Sequence, residues 1–400
     1  MDERQVSSGI GDHGVSEFRA AACRLDAWLQ CHQYRAYDPF DGLNSWARPL
    51  AIGALGRQLL QQGIRRFPFN LRPLLGVKPS VSSKGFGYLA RAYLKMHRST
   101  GRLEYLEQAR FCLHWLAKNG DRRFGGISWG NHFDYQSRVF YLQAGTPTVV
   151  WVSHIGQAFV DAWELTKADQ YLQTAREVCD FILKGLERRP EGNGICLSYI
   201  PGEFKAVHNA NMLGAALLAR VSSITGEDAL RSVARAAVNY TVGAQLHSGA
   251  WWYGEAANMH WVDSFHTCYV LDSLWWYLRS TSDARHQTAF ERGADYFVTR
   301  FFLPDGTPKY YDNKVLPIDI QCAAQAIETL TLLARARNNT SLKTLAQAVA
   351  RWTIANMQDP SGYFYFRKLR FVTNKTATLH WGQATMLHAL SCLTLQEGFS

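Results

Sequence analysis

The amino-acid sequence predicts an all-α fold, an (α/α)6 toroid of six helical hairpins in a closed ring, with short β-hairpin loops at the cavity mouth. Three observations predict it. A polar turn recurs four times, a glycine-aromatic loop recurs six times, and the helices alternate between apolar all round and apolar along one stripe. Self-similarity at a fixed period marks an architecture of repeated supersecondary units.

The polar turns are Thr100-Gly-Arg-Leu-Glu-Tyr-Leu-Glu-Gln-Ala109, Thr166-Lys-Ala-Asp-Gln-Tyr-Leu-Gln-Thr-Ala175, Thr225-Gly-Glu-Asp-Ala-Leu-Arg-Ser-Val-Ala234 and Ser280-Thr-Ser-Asp-Ala-Arg-His-Gln-Thr-Ala289. Their spacings are 66, 59 and 55 residues. Each ends one helix and caps the next with Thr, Asp or Glu.

The longer loops carry a glycine followed by aromatics, at Gly42 and Trp46, Gly126 and Trp129, Gly194 and Tyr199, Gly249 and Trp251, Gly306 and Tyr310, and Gly362 and Tyr363. From Gly194 onward they recur every 55 to 57 residues, which fits two helices and one long loop.

Helices after the long loops, such as Ala210–Val221, Ile318–Leu333 and Leu379–Leu395, are apolar nearly all round, so they belong inside. Their partners carry one stripe, as in Leu342, Leu345, Val349 and Trp352, with Lys343, Gln347 and Arg351 opposite. The expected pairs are 82–118, 148–188, 207–244, 263–302 and 316–358. The sixth joins the C-terminal helix 378–396 to an N-terminal helix 16–34. Residues 1–15 read as a disordered tail, 16–400 as one domain, and 45–65 has no assigned place. Ala215, Leu218, Ile327 and Leu390 are expected to be buried, and Arg231, Lys343 and Arg351 exposed.

Forty-three basic against 33 acidic residues give a net charge of +10, which favours an acidic partner. The 13% of aromatic residues suit both a core and a carbohydrate cleft. Eight dispersed cysteines, none in Cys-x-x-Cys, read as buried free thiols of a reducing compartment. No signal segment and no run of about 18 apolar residues is present, so a cytoplasmic chain without membrane insertion is expected.

Unusual polar residues gather where inner helices begin. The candidate acid/base groups are His132, Asp134, Asp263, His266 and Tyr311. Trp129, Asn131, Arg138, Tyr199, Asn209, Asn211, Trp252, Glu255, Lys309, Tyr310, Asp319, Gln321, Tyr365, Arg367, Trp381 and Gln383 are candidate substrate contacts. Asn209, Asp263 and Asp319 also stand where helix caps belong, and His266 could be a satisfied core residue. No nucleotide-binding glycine motif, nucleophile elbow or zinc spacing occurs, so no metal or cofactor is expected. Phe364–Phe371 interleaves bases with aromatics, but it reads as a hairpin over the cavity, not as a nucleic-acid groove.

The stretches "GNHFDYQSR", "WVDSFHTCYVLDSL", "DGTPKYYDNKVLPIDIQCAAQAIETL", "TIANMQDPSGYFYFRKLR" and "HWGQATMLHAL" resemble bacterial polysaccharide-biosynthesis proteins of the VpsJ type over residues 80–396. That family is similar to the six-hairpin glycosidases, the N-acylglucosamine 2-epimerase fold and, distantly, the C-terminal domain of glucuronyl 5-epimerases. The resemblance implies an (α/α)6 barrel that makes or tailors an extracellular polysaccharide, with other synthesis proteins as partners. Two positions depart from the family pattern, His380 in place of Arg and Cys268 in place of Gly. Three functions fit the residues. The first is a uronate or amino-sugar epimerase, with Arg138, Lys309 or Arg367 holding a carboxylate. The second is a hydrolase or lyase using Asp134, Glu255, Asp263 or Asp319, and the third is a non-catalytic polysaccharide-binding or scaffold subunit.

Overall fold

The computed structural model describes residues 4–137 and 140–395, with side chains from residue 16 onward. The segment expected to be a tail therefore lies outside the described side chains, and Arg138 lies outside the described residues. The described chain falls into two compact units.

The first unit holds residues 1–110, 302–310 and 314–400. Its helices are α1 (Arg4–Cys31), α2 (Gly53–Arg66), α3 (Ser83–Thr100), the start of α4 (Leu103–Lys118), α11 (Ile320–Ala336), α12 (Thr340–Met357) and α13 (Ala384–Thr394). α13 packs on α3, α11 and α1, so the sixth hairpin does pair the two ends of the chain. Ile327 and Leu390 are fully buried, while Lys343 and Arg351 are exposed. The unassigned segment 45–65 becomes α2, which lies on the short turn Asp41–Asn44.

The second unit holds residues 111–301 and 311–313. Its hairpins pair α5 (Val149–Thr166) with α6 (Asp169–Asp180), α7 (His208–Thr225) with α8 (Asp228–Gly243), and α9 (Ser264–Thr281) with α10 (Gln287–Arg300). The all-apolar α5, α7 and α9 pack side by side, and Ala215 and Leu218 are fully buried. Arg231, expected outside, is only half exposed, its guanidinium turned back one turn of α8 onto Asp228 at 2.9 Å.

Short strands decorate the loops. β1 (Tyr135–Gln136) pairs with β2 (Tyr141–Leu142), β3 (Arg188–Glu191) with β4 (Gly194–Leu197), and β5 (Ile318–Asp319) with β6 (Arg367–Lys368), which pairs in turn with β7 (Thr373–Asn374), all antiparallel. The helix expected from Ile318 thus starts two residues later.

The recurring threonine acts differently from the expected cap. In each turn its hydroxyl accepts from the N–H two residues on, at Arg102, Ala168, Glu227 and Asp283. In the fourth turn this residue is Thr281, one place beyond the expected Ser280. Side-chain caps stand at the starts of buried helices, on Ser82, Thr148, Asp263 and Asp319, and also on Asn339 before α12 and, as expected, on Asp283 in the fourth turn. Six cysteines are buried free thiols, but Cys23 and Cys31 are exposed, since both fall on the solvent side of α1.

Candidate active site

In the second unit the chemistry centres on Asp263, which precedes α9. Its Oδ1 accepts the His266 N–H at 3.1 Å, capping the helix. Its Oδ2 faces His266 Nδ1 at 2.7 Å and accepts Trp261 Nε1–H at 2.9 Å. A carboxylate only accepts, so Nδ1 carries the hydrogen and Nε2 is left as the exchangeable nitrogen. Asp263 is 1% exposed at its side chain and His266 21%, so the acid lies beneath the imidazole it orients.

Trp251, Trp252, Tyr253 and Trp261 wall a small cleft, with Asn209, Asp263 and His266 among its lining. Tyr253 stacks on Trp261 at 4.5 Å and tilts against His266 at 4.6 Å. Trp252 stacks on His260 at 3.7 Å. The Asn209 Oδ1 is buried without a hydrogen-bond partner beside this cleft. The backbone of Tyr311 pairs with that of Asp263, which sets this half-buried residue on the same strand-like edge.

His208, at the start of α7, puts Nε2 2.8 Å from Glu255 Oε1. The hydrogen bond from His208 holds the Glu255 carboxyl below the usual range against the opposing effect of burial. Glu255 is therefore an anion at neutral pH, which is unsuited to protonating a leaving group.

Several other candidates of this unit have local structural partners. Asp134 accepts from Tyr141 Oη at 2.6 Å and Ala144 N at 2.9 Å, bracing the β1–β2 hairpin. His132 is exposed and edge-on to Phe133. Trp129 is 3% exposed and donates to Leu116 O. Asn131 is buried, with Oδ1 unpartnered. Tyr199 packs on Phe140 at 5.3 Å, and burial pushes its phenol up. Asn211 ties Leu197 N to Ala237 O and Thr241 Oγ1.

The first unit has its own polar cluster. Asp319, fully buried, accepts Arg367 Nε at 2.9 Å and Nη2 at 2.5 Å on one oxygen. Its other oxygen accepts Gln321 N and Trp381 Nε1. Burial opposes the Arg367 charge, but the Asp319 carboxylate outweighs it and raises the guanidinium further. The Arg367 fork is thus turned on Asp319, with Tyr310 at 5.7 Å from it. Lys309 is half-buried beside Tyr310. Gln383 bonds both polar groups of the Phe364 backbone, and Tyr365 donates to Asp359. Trp381 and Gln383 belong to a π-helical turn, Leu379–Gln383, that leads into α13. On the same turn His380 Nδ1 lies 2.8 Å from Asp38 Oδ2. Lys84 is buried nearby, and loss of water pulls its ammonium down to about 7 against the pull of Asp38.

Asp263, His266, Tyr311, Asn209 and Trp252 are brought together, as the sequence motifs suggest. His132, Asp134, Tyr199 and Asn211 are engaged elsewhere in the second unit. Trp261, Tyr253, His208, Lys84 and Asp38 were absent from the candidates. Trp261 was detectable only by its place two residues before Asp263, and Asp38 and Lys84 only through their distant partners.

Helical hairpins of this kind are shared with solved structures. A cellobiose 2-epimerase from Bacillus thermoamylovorans B4167 aligns with TM-score 0.59 at 11% identity over 78% of this chain and 87% of its own. A GH76 α-mannanase from Bacteroides thetaiotaomicron aligns with TM-score 0.61 at 12% over 78% and 85%. The chain has the all-α, (α/α)6 six-hairpin fold. A polysaccharide lyase shares it, with TM-score 0.60 at 10% over 95% and 97%. No protein-family model and no curated protein matches the chain. The resemblance to VpsJ-type proteins therefore rests on the quoted motifs.

Proposed function

We propose that this six-hairpin chain is a carbohydrate-active enzyme, a sugar epimerase that moves a proton on a uronate or amino-sugar unit. The observation that carries this reading is the buried Asp263 holding His266 Nδ1 at 2.7 Å beneath aromatic walls. Such a pair makes Nε2 a base whose conjugate acid is steadied by the carboxylate. His266 takes the proton from the carbon beside a carbonyl, leaving an enolate. Return of a proton to the opposite face, from Tyr311 as the acid, inverts that carbon. Flat Trp and Tyr faces suit a sugar ring, and the +10 charge favours an acidic oligosaccharide. The motif resemblance supports a place in extracellular-polysaccharide synthesis, and the free thiols support a cytoplasmic one.

A hydrolase is less well supported, because Asp134, Asp263 and Asp319 are engaged and Glu255 is held ionised. A lyase shares the first proton abstraction and differs in expelling the C4 substituent. The test is proton NMR of uronate-containing oligosaccharides in D2O with the enzyme. Exchange at one ring carbon with appearance of the epimer is expected. An unsaturated product would establish a lyase, new reducing ends a hydrolase, and binding without turnover a non-catalytic subunit.

A further inference from the structure

Outward-facing apolar side chains concentrate in one stretch. Of the thirteen large apolar side chains exposed among the described residues, eight lie between Trp46 and Leu74. α2 is turned inside out for a soluble helix. Ile52 at its N-cap, with Leu55 and Leu59 at i+3 and i+7, stands 84%, 70% and 65% exposed. The opposite side buries Gln61 completely, and Ile64 packs on Gly42. Trp46 and Phe69 flank the helix at 64% and 65% exposure. The Asn374 side chain bonds Phe67 O at 2.8 Å, tying the β6–β7 hairpin to this stretch. The hairpin tip carries Phe371, 89% exposed, beside Arg370.

The charge around these residues has one sign. No Asp or Glu occurs between Asp41 and Glu104, and four arginines, Arg48, Arg57, Arg65 and Arg66, lie on or beside α2, with Arg48 and Arg66 exposed. Exposed Leu, Ile, Trp and Phe interleaved with Arg make an amphipathic, cationic surface of the kind that lies in a lipid interface. A second copy of the chain would set arginines against arginines. A sugar chain would use the aromatics but not the aliphatic stripe.

We infer that α2, its flanks and the β6–β7 tip form a docking surface for an anionic lipid bilayer, on which the protein lies without crossing. Among the described residues no helix is long and apolar enough to cross a membrane. Leu55, Leu59, Trp46 and Phe371 enter the acyl boundary, while Arg66 and Arg370 meet phosphate headgroups. The inference is independent of the catalytic reading.

The experiment is co-sedimentation of the full chain with vesicles of phosphatidylcholine alone or mixed equally with phosphatidylglycerol. Binding to the mixed vesicles is expected to exceed that to phosphatidylcholine by about tenfold or more, and to weaken in high salt. Leu55→Glu with Leu59→Glu should lower it about tenfold or more at an unchanged melting temperature, since both side chains already face water. Arg66→Glu with Arg370→Glu should remove the preference for phosphatidylglycerol. Failure of the wild type to bind mixed vesicles would overturn the inference. So would a wild-type dimer that the leucine variant dissolves, or an acidic polysaccharide that the wild type prefers to vesicles.

Discussion

Asp263 shows how one side chain can serve both the helix and the chemistry. Its cap was legible in the sequence, since Asp before an apolar helix is an ordinary N-cap. Its second oxygen was not, because the bond to His266 depends on the imidazole rotamer, and Trp261 depends on a loop. The two roles can be separated. Ser in place of Asp263 keeps an oxygen for the cap and loses the imidazole. Asp263→Ser should lower kcat at least about tenfold with a melting temperature close to wild type, whereas a purely structural Asp would give the reverse. His266→Ala and Tyr311→Phe should abolish turnover without unfolding, measured by the deuterium-exchange assay and thermal melts. Lys84 makes a residue-scale prediction about stability. Burial favours its neutral form, so its folded pKa of about 7 lies below the unfolded value of about 10.4. Between these values the unfolded chain binds more protons, and stability rises with pH. Lys84→Met should remove that rise and leave the protein more stable than wild type below about pH 7, as urea titrations across the range would show.

At the scale of elements, the six glycine-aromatic loops were legible as a period but not as a contact. The structure supplies the reason for several of them. A Cβ at Gly194 would lie 2.2 Å from Ala236 O on α8, and one at Gly249 2.4 Å from Arg292 O on α10. At Gly362 it would lie 2.3 Å from Arg24 O on α1. Each loop thus presses its glycine onto the backbone of the solvent-facing helix, and the aromatics follow as cover. Gly249 also has φ +95°, a conformation that side chains rarely adopt. Gly249→Ala should therefore cost roughly 2–4 kcal/mol, combining backbone strain with overpacking. Gly192 has φ +52° with nothing near its Cβ, so Gly192→Ala should cost only about 1 kcal/mol. Equal losses in urea unfolding would show that the close approach does not matter. The inverted helix α2 escaped the sequence reading because its pattern does have a stripe, and a stripe alone does not say which side meets water.

At the scale of the molecule, hairpin count, order and pairing were readable because apolar periodicity separates buried helices from covering ones. Functional geometry was less readable, since it depends on which distant loops meet. The pairing of the chain's ends is the clearest large-scale expectation, and the first unit shows how it is held. α1 packs on α13 and α12, with Phe18 and Leu25 buried on one side and Leu387 and Leu390 on the other. Polar ties reinforce the seam. Arg24 Nη2 donates to Gln358 Oε1 at 2.8 Å, and Gln358 Nε2 donates to Ala21 O at 3.0 Å. Arg351 meets Glu17 at 3.2 Å, an exposed pair that contributes little. The apolar seam is what matters, because α13 is buried along nearly its whole length, its polar side chains included. Removing residues 16–34 would leave Leu387 and Leu390 uncovered, and a large exposed apolar patch drives association. The truncated chain should aggregate on expression and bind an apolar dye, while Arg351→Ala alone should melt within a degree or so of wild type. A soluble, normally melting truncation would mean that α13 finds its cover elsewhere in the chain.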